Sequence, residues 1–238
     1  MRQADSYDPR LLRRSFDAVD GKLLEASYFL EMLFQEPRSP VEAGFVFSAF
    51  LSASRSVTFA MQAVVKAAPE FTDWYEQQQR ALREDAISRW FVAARNVSEK
   101  QGSTPIEGGT FGGDRISYWF GASVGREPPE CDVETACRHY MRLLTAVVYA
   151  CYEEFGPLID PMEYYRPDNF ARIGRTLEDA EEDIIGVRGW TDGAGLTDED
   201  RWLLVRRALG HAPLLHDLWD LFDRYQVGGD EPPRPWLR

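Results

Sequence analysis

Between Gly44 and Val65 the chain carries one charged side chain, Arg55, in an otherwise apolar and small-polar stretch. A guanidinium taken out of water loses hydration worth several kcal/mol unless a carboxylate or another acceptor meets it. Two chemistries satisfy that requirement. One is an internal ion pair, with Asp17, Asp20, Glu25 and Asp85 as the carboxylates on neighbouring segments; the other is a pocket in which Arg55 holds an anionic ligand. At about 100° per residue, Ser48, Ser52, Arg55 and Gln62 share one narrow stripe of a helix. Ser52, Arg55 and Gln62 are therefore the candidate ligand-binding residues. Val46, Phe50, Ala53, Val57, Met61 and Val64 take the other side.

A second group lies at Arg95-Asn96-Val97-Ser98-Glu99-Lys100-Gln101-Gly102. Arg95 and Lys100 near a helix end are the cations that a helix C-terminus favours, and with Asn96 they can also grip an anion. Other chemistries find little support. The chain has three histidines, so general-base capacity is thin. Glu134 and His139 are five apart, which misses the Glu-x-x-His spacing of a di-iron bundle. His139 faces away from its helix's apolar stripe and reads as solvated. His211 and His216 lack a third zinc ligand. The serines of the Arg55 helix have no nucleophile-elbow context and suit close helix packing instead. Cys131, Cys137 and Cys151 read as buried small hydrophobes in a reducing compartment; Cys137 and Cys151 lie about 21 Å apart on one helix and cannot bridge there. The run Glu178, Asp179, Glu181, Glu182, Asp183 reads as a solvated face rather than an ion site. No metal and no cofactor is expected.

The elements that must position these residues are helical. Leu12, Phe16, Val19, Leu23, Leu30 and Phe34 give an amphipathic helix over 10–34, ended by Pro37 and Pro40. The Arg55 helix spans 41–66; it is long enough for a membrane span, but Ser48, Ser52, Ser54, Ser56, Thr58 and Gln62 make it a central bundle helix. A third stretch runs from Phe71 to Gln101, with a break placed near Gln78 and Gly102 as its cap. Residues 103–130 form an insertion rich in Gly and Pro, read as a long loop with a small hairpin at Arg115–Phe120; Gly108 to Gly113 lacks the Gly-Lys-Ser/Thr of a phosphate loop and reads as loop geometry. Val133, Cys137, Tyr140, Leu144, Val148, Cys151 and Phe155 define the clearest helix, bounded by Pro129 and Pro157. Further helices are expected over 168–185, from the Thr197 capping box to Leu209, and over 213–225.

Length and composition fit this picture. The 238 residues are 44% hydrophobic and 28% charged, values of a globular protein. We read one helical domain over 1–238, with the C-terminal helical hairpin 196–226 packed on the body, because about 40 residues bury too little surface alone. The Pro-rich tail 227–238, with Trp236, is expected to be mobile. The net charge is −12, so the average surface repels phosphate backbones and any RNA contact needs a local basic patch. No secretory or mitochondrial leader is visible from Met1 to Asp8, and the expected location is cytoplasmic, without a membrane partner.

The order of long antiparallel helices, the polar stripe on the second and the Arg-Asn pair at the end of the third resemble the HEPN superfamily over Arg10 to Gly102, extending to the helix after it. In that family an Arg, a polar residue and a later His form a metal-independent ribonuclease site across a dimer. Here Arg95 and Asn96 match the first two elements, and Lys100 stands where the shortest motif has its His. A lysine near its usual pKa of about 10.4 stays charged and cannot serve as base near neutrality. The resemblance therefore implies an all-α antiparallel bundle that forms a homodimer. It would be a non-cleaving interaction or scaffold protein whose Arg95, Asn96 and Lys100 bind an anion, RNA or a protein partner. Two alternatives stay open: an endoribonuclease of defence or toxin type using Arg95 and Asn96 with another base, and a small-molecule-binding bundle centred on Ser52, Arg55 and Gln62.

Overall fold

The computed structural model describes residues 9–36, 38–102, 104–112, 115–209 and 216–227. Helix α1 (Pro9–Gln35) and helix α2 (Pro40–Val65) are joined by a short connection and pack along their lengths as an antiparallel pair. On α1 the buried positions Phe16, Val19, Leu23, Ala26, Leu30 and Leu33 follow three- and four-residue steps, so one stripe leaves water. Helix α2 starts on a capping box: Ser39 Oγ accepts from the Glu42 amide and the Glu42 carboxylate accepts from the Ser39 amide, with Pro40 in the first turn. Phe47, Phe50, Leu51, Val57 and Met61 bury its apolar side. It is the one helix among the described residues whose length and composition would permit a membrane crossing, and half of its apolar window is buried inside the protein.

The third helical stretch is two helices, α3 (Phe71–Glu84) and α4 (Ala86–Gln101). The break falls at Asp85, not near Gln78. Asp85 is extended and its carboxylate accepts from the Ser88 amide at 2.6 Å, a strong helix N-cap that outcompetes continuation of α3. Gly102 ends α4 in the left-handed conformation with φ of 64°, as its lack of Cβ allows.

Residues 103–130 contain an antiparallel hairpin of β1 (Ile106–Gly112) and β2 (Arg115–Phe120). Gly108 to Gly112, read as loop, are strand residues paired with Arg115 to Trp119; their small size lets the partner side chains lie close, with Trp119 and Tyr118 next to where a Cβ would sit on Gly108 and Gly109. Tyr118 is fully buried and its hydroxyl both accepts from the Arg38 amide and donates to the Arg38 carbonyl, each at 3.1 Å. Phe120 packs against Trp90 at a centroid distance of 4.3 Å and meets Phe47 and Phe91. At Gly44 a Cβ would sit 2.6 Å from Thr104 Oγ1, so α2 and the start of the hairpin can meet only because that position is glycine.

Helix α5 (Val133–Ile159) packs on α1, α2 and α4 and runs two residues past Pro157. Pro157 forfeits a single backbone bond in the last turn, so it does not end the helix there. The expected helix over 168–185 is divided into α7 (Pro167–Arg172) and α8 (Leu177–Ile185), preceded by the short α6 (Pro161–Tyr164). Gly174 at φ of 71° and a Thr176–Asp179 capping box make the break. Helix α9 (Asp198–Ala208) opens on the Thr197–Asp200 capping box, and α10 (His216–Arg224) follows. The two helices of the segment 196–226 serve different cores. Trp202, Val205 and Leu209 join Tyr165, Phe170, Leu177 and Ala180 in a small second cluster. Leu218, Leu221, Phe222 and Tyr225 join the main core through contacts with α1 and α5. His211, Pro213, Trp236, the first eight residues and the tail from 228 onward lie outside the described residues.

The acidic run on α8 is in part the solvated face expected, with Glu182 and Asp183 exposed and Glu181 buried, and its carboxylates meet arginines. Arg188 pairs with Asp179 and Glu182, Arg175 with Asp183, and Arg201 with Glu178 and Glu181. Among the described residues no group of three His, Cys, Asp or Glu is placed to hold a metal ion.

Burial weakens the acidity of several groups on α5. It pushes the Tyr140 hydroxyl and the Cys151 thiol up to about 12, and lifts Tyr152 and Cys137 well above their ordinary values. In the unfolded chain these groups ionise near 10 for Tyr and 8.5 for Cys. Above those values the unfolded state therefore binds fewer protons than the folded one, and stability falls as pH rises. The thermal midpoint should hold steady from pH 7 to 8 and fall progressively between about pH 9 and pH 12; a flat profile across that window would contradict the burial of these groups.

Candidate functional site

A cavity of about 220 Å³ opens where α2, α3, α4 and α5 meet. Its wall carries four arginines, Arg55, Arg83, Arg89 and Arg126, and among the described residues none that lines it is acidic. In a chain of net charge −12 that concentration of positive charge is a local reversal of the protein's average.

Each arginine arrives by a separate structural device. Arg55 projects from α2, donates to Thr58 Oγ1 at 3.1 Å and lies over the Phe59 ring at 4.4 Å, a cation–π contact that holds the stem and leaves the charge uncompensated. The expected ion pair is absent: among the described residues Arg55 has no carboxylate partner. Asp85, one of its proposed partners, instead caps α4 and meets His139 Nε2 at 2.9 Å. His139, half-exposed, is thereby also a tether from α5 to the α3–α4 junction.

Arg89 owes its place to that junction. Its Nη1 donates to the carbonyls of Arg83 and Glu84 at 2.5 and 2.9 Å, satisfying the end of α3 that the Asp85 break leaves open. Arg83 donates to Gln79 one turn back at 3.1 Å. Arg126 follows a short 3-10 turn, Ala122–Val124, closed by Gly125 at φ of 68°; the hairpin insertion thus supplies a cavity residue.

The floor is aromatic. Tyr140 is buried and stacks on Phe91 at 4.6 Å with an interplanar angle of 17°. Burial holds its hydroxyl neutral up to about 12, against the opposing pull of the Arg55 charge, so it can donate a hydrogen bond throughout the physiological range. Tyr75, also buried, accepts from Gln62 at 3.1 Å. A second cavity of about 410 Å³ shares Tyr75 and Gln79 with the first and is lined further by Gln62, Lys66, Thr72 and Glu76.

The six residues singled out in the sequence fall in three places. Arg55 lines the arginine cavity and Gln62 the adjoining one. Ser52 turns to α4 and donates to Glu99 at 3.3 Å. Glu99 also pairs with Arg95 at 2.7 Å, so the charge of Arg95 is compensated within its own helix. Asn96 is exposed and its side-chain oxygen lies 3.4 Å from Arg95 Nη1. Lys100 is exposed, five residues and about 140° around the helix from Arg95, and neither cation lines either cavity. Arg83, Arg89 and Arg126 were not singled out, because as isolated surface cations they carry no periodic signal; the Asp85 cap is the one local cue that would have gathered two of them.

The family model for bacteriophage lambda protein ea47 matches residues 17–139, just over half of the chain. The chain belongs to the Ea47 family. No curated protein and no solved structure matches it. The family segment contains all four arginines of the cavity and ends one residue before Tyr140; the second core, α6 to α9, lies outside it.

If the Asp85 junction sets the cavity, Asp85→Ala should lower stability by about 1–2 kcal/mol through loss of the cap, with a further loss from the His139 contact. For a chain of this size that is a fall of several degrees in Tm. Asp85→Asn, which keeps a capping oxygen, should fall less. Equal losses in both variants, measured by differential scanning calorimetry, would show that the cap is not what matters.

Proposed function

We propose that this Ea47-family protein is a non-catalytic, HEPN-like helical module that binds a small anionic ligand in the cavity of Arg55, Arg83, Arg89 and Arg126. The observation that carries the reading is Arg55 itself: a partly buried guanidinium without a carboxylate partner among the described residues, lining a concavity with three further arginines. Arg83, Arg89 and Arg126 are exposed at the rim, and like charges gathered around one concavity repel one another, a repulsion that an anion relieves. The neutral Tyr140 hydroxyl and the Ser88 side chain, which also line the cavity, add donors that cost no charge.

The helical order from α1 to α4 supports the HEPN likeness, and with it a homodimer in the cytoplasm. A metal-independent ribonuclease at Arg95 and Asn96 is the weaker reading, because the Arg95 guanidinium is committed to Glu99 and Lys100 is a poor base near neutrality. Extended RNA binding is likewise disfavoured by a net charge of −12.

Calorimetric titration with pyrophosphate provides the test. Binding is expected for the wild-type chain and should weaken at least tenfold in Arg55→Met, which keeps the stem over Phe59 and removes the charge, while the melting curve stays cooperative. Absence of pyrophosphate binding by the wild-type protein would remove the anion reading. Incubation with labelled RNA in the presence of a chelator should leave the RNA intact; cleavage lost in Arg95→Ala would put the ribonuclease in its place.

A further inference from the structure

The two apolar cores of the protein meet at an acidic joint. The main core takes in α1, α2 and α5, whereas Phe170, Leu177, Trp202 and Val205 belong to the second. Helix α6 packs on α5 and α1 and leads into α7 and the second core. It brings Asp160, its N-cap, and Glu163 into that position with 1% and 8% exposure, and Asp20 of α1 is buried to the same degree, at 8%. All three carboxylates lie close enough to the Tyr152 hydroxyl of α5 to oppose its ionisation. Three acidic groups thus surround one phenol where water is largely excluded, an arrangement in which full ionisation is costly.

We propose that this joint is a proton-dependent latch: a proton held at Glu163 fastens the α6–α9 unit to the main body, and its loss lets the unit open.

The hydrogen bonds single out Glu163 among the three. Asp160 has both oxygens engaged, Oδ1 accepting from the Met162 amide at 2.8 Å and Oδ2 from the Tyr152 hydroxyl. Glu163 Oε2 accepts from Arg166 Nη1 at 3.0 Å, but its Oε1 is buried and has no hydrogen-bond partner among the described residues. When ionised, the side chain therefore keeps part of its charge away from both water and donors, a cost that the neutral carboxyl reduces.

The groups that face Glu163 are Asp160 on its own helix, Tyr152 of α5 and, around that phenol, Asp20 of α1, with Arg166 from the next turn and Arg206 from α9. The cation of α9 attracts without bonding, since Arg206 Nε and Nη2 are buried and without a partner among the described residues. Burial is the largest influence on Glu163 and Asp160 adds to it; together they outweigh the two arginines, so its pKa stands above the ordinary 4.5. Because the folded value is the higher one, the joint is firmest below about pH 4.5 and loosens as pH climbs through the folded value.

Hydrogen exchange resolved by NMR on the full chain tests the latch at the amides of Tyr164 and Tyr165, which bond to the carbonyls of Asp160 and Pro161 at 2.8 and 3.0 Å. Scaled for intrinsic exchange, their protection is expected to fall at least about threefold between about pH 5 and about pH 7.5, while the α2 amides keep theirs. Glu163→Gln, neutral at every pH, should abolish the fall. Asp168→Asn, which removes the exposed carboxylate on the other side of Arg166, should leave it as in the wild type. Arg206→Met keeps the stem but removes the attraction that favours the ionised form, and should enlarge the fall. A wild-type profile without the fall, or a Glu163→Gln profile as steep as the wild type's, would overturn the latch. If Glu163→Gln does not fold, Arg206→Met decides: a fall no larger than the wild type's would overturn it equally.

Discussion

The constraint on which the rest depends is the uncompensated charge of Arg55 on a helix that the protein must bury. Helix α2 gives its apolar side to α1 and α5, and its opposite side cannot be apolar as well without becoming a surface for aggregation or lipid. The serines resolve most of that stripe by bonding to α4 or to the helix backbone: Ser48 meets Ser98 at 2.8 Å, and Ser56 donates to the Ser52 carbonyl at 2.7 Å. Arg55 is the exception. It is held by a hydroxyl and an aromatic face, interactions that position a guanidinium without neutralising it. A protein selected only for stability would have an acidic residue there, since an unpaired charge lowers stability and a well-packed apolar group would not.

The break at Asp85 turns that single charge into a site. An uninterrupted helix from Phe71 to Gln101 would leave no open α3 carbonyls for Arg89 to bond and no turn to hold Arg83 beside it. One carboxylate performs both tasks, capping α4 through one oxygen and binding His139 of α5 through the other. The hairpin adds the fourth cation, and its anchorage explains why it is rigid enough to do so: Tyr118 is locked to the Arg38 backbone and Phe120 lies in the aromatic cluster beneath α4.

How much of this was legible in the sequence follows from the range of the interactions concerned. Helices α1, α2 and α5 were readable because their burial repeats every three to four residues, and the Thr197 capping box because its signal is four residues long. Arg55 was readable as an oddity for the same reason, as the one charge on an apolar repeat. Its partner was not, because a missing carboxylate is a fact about three other helices. The junction at Asp85 contains neither Pro nor Gly, and an Asp within a helical pattern is equally at home on the surface. The pairing of the acidic run on α8 with Arg175, Arg188 and Arg201 was hidden similarly: the cation of Arg201 lies more than eighteen residues downstream, on another helix. The Arg95 motif drew notice by its spacing, yet the residue that governs it is Glu99 inside the same motif, a salt bridge one turn away that spacing rules for Arg and His pass over.

Charge distribution then decides what kind of anion such a cleft can select. The five carboxylates of the α8 run outnumber the three arginines that pair with them, and with a net charge of −12 the surface offers long polyanions little general attraction. The concavity of Arg55, Arg83, Arg89 and Arg126 gathers positive charge, and a compact anion seated in it is less screened by salt than it would be on an open face. Long nucleic acids must bring many phosphates past the acidic exterior to reach it, and each adds repulsion. A short polyphosphate brings only as many charges as the cavity has guanidiniums. On the anion reading, the protein's overall acidity and the arginine cavity act together: the first disfavours a long polyanion, and the second favours a compact one.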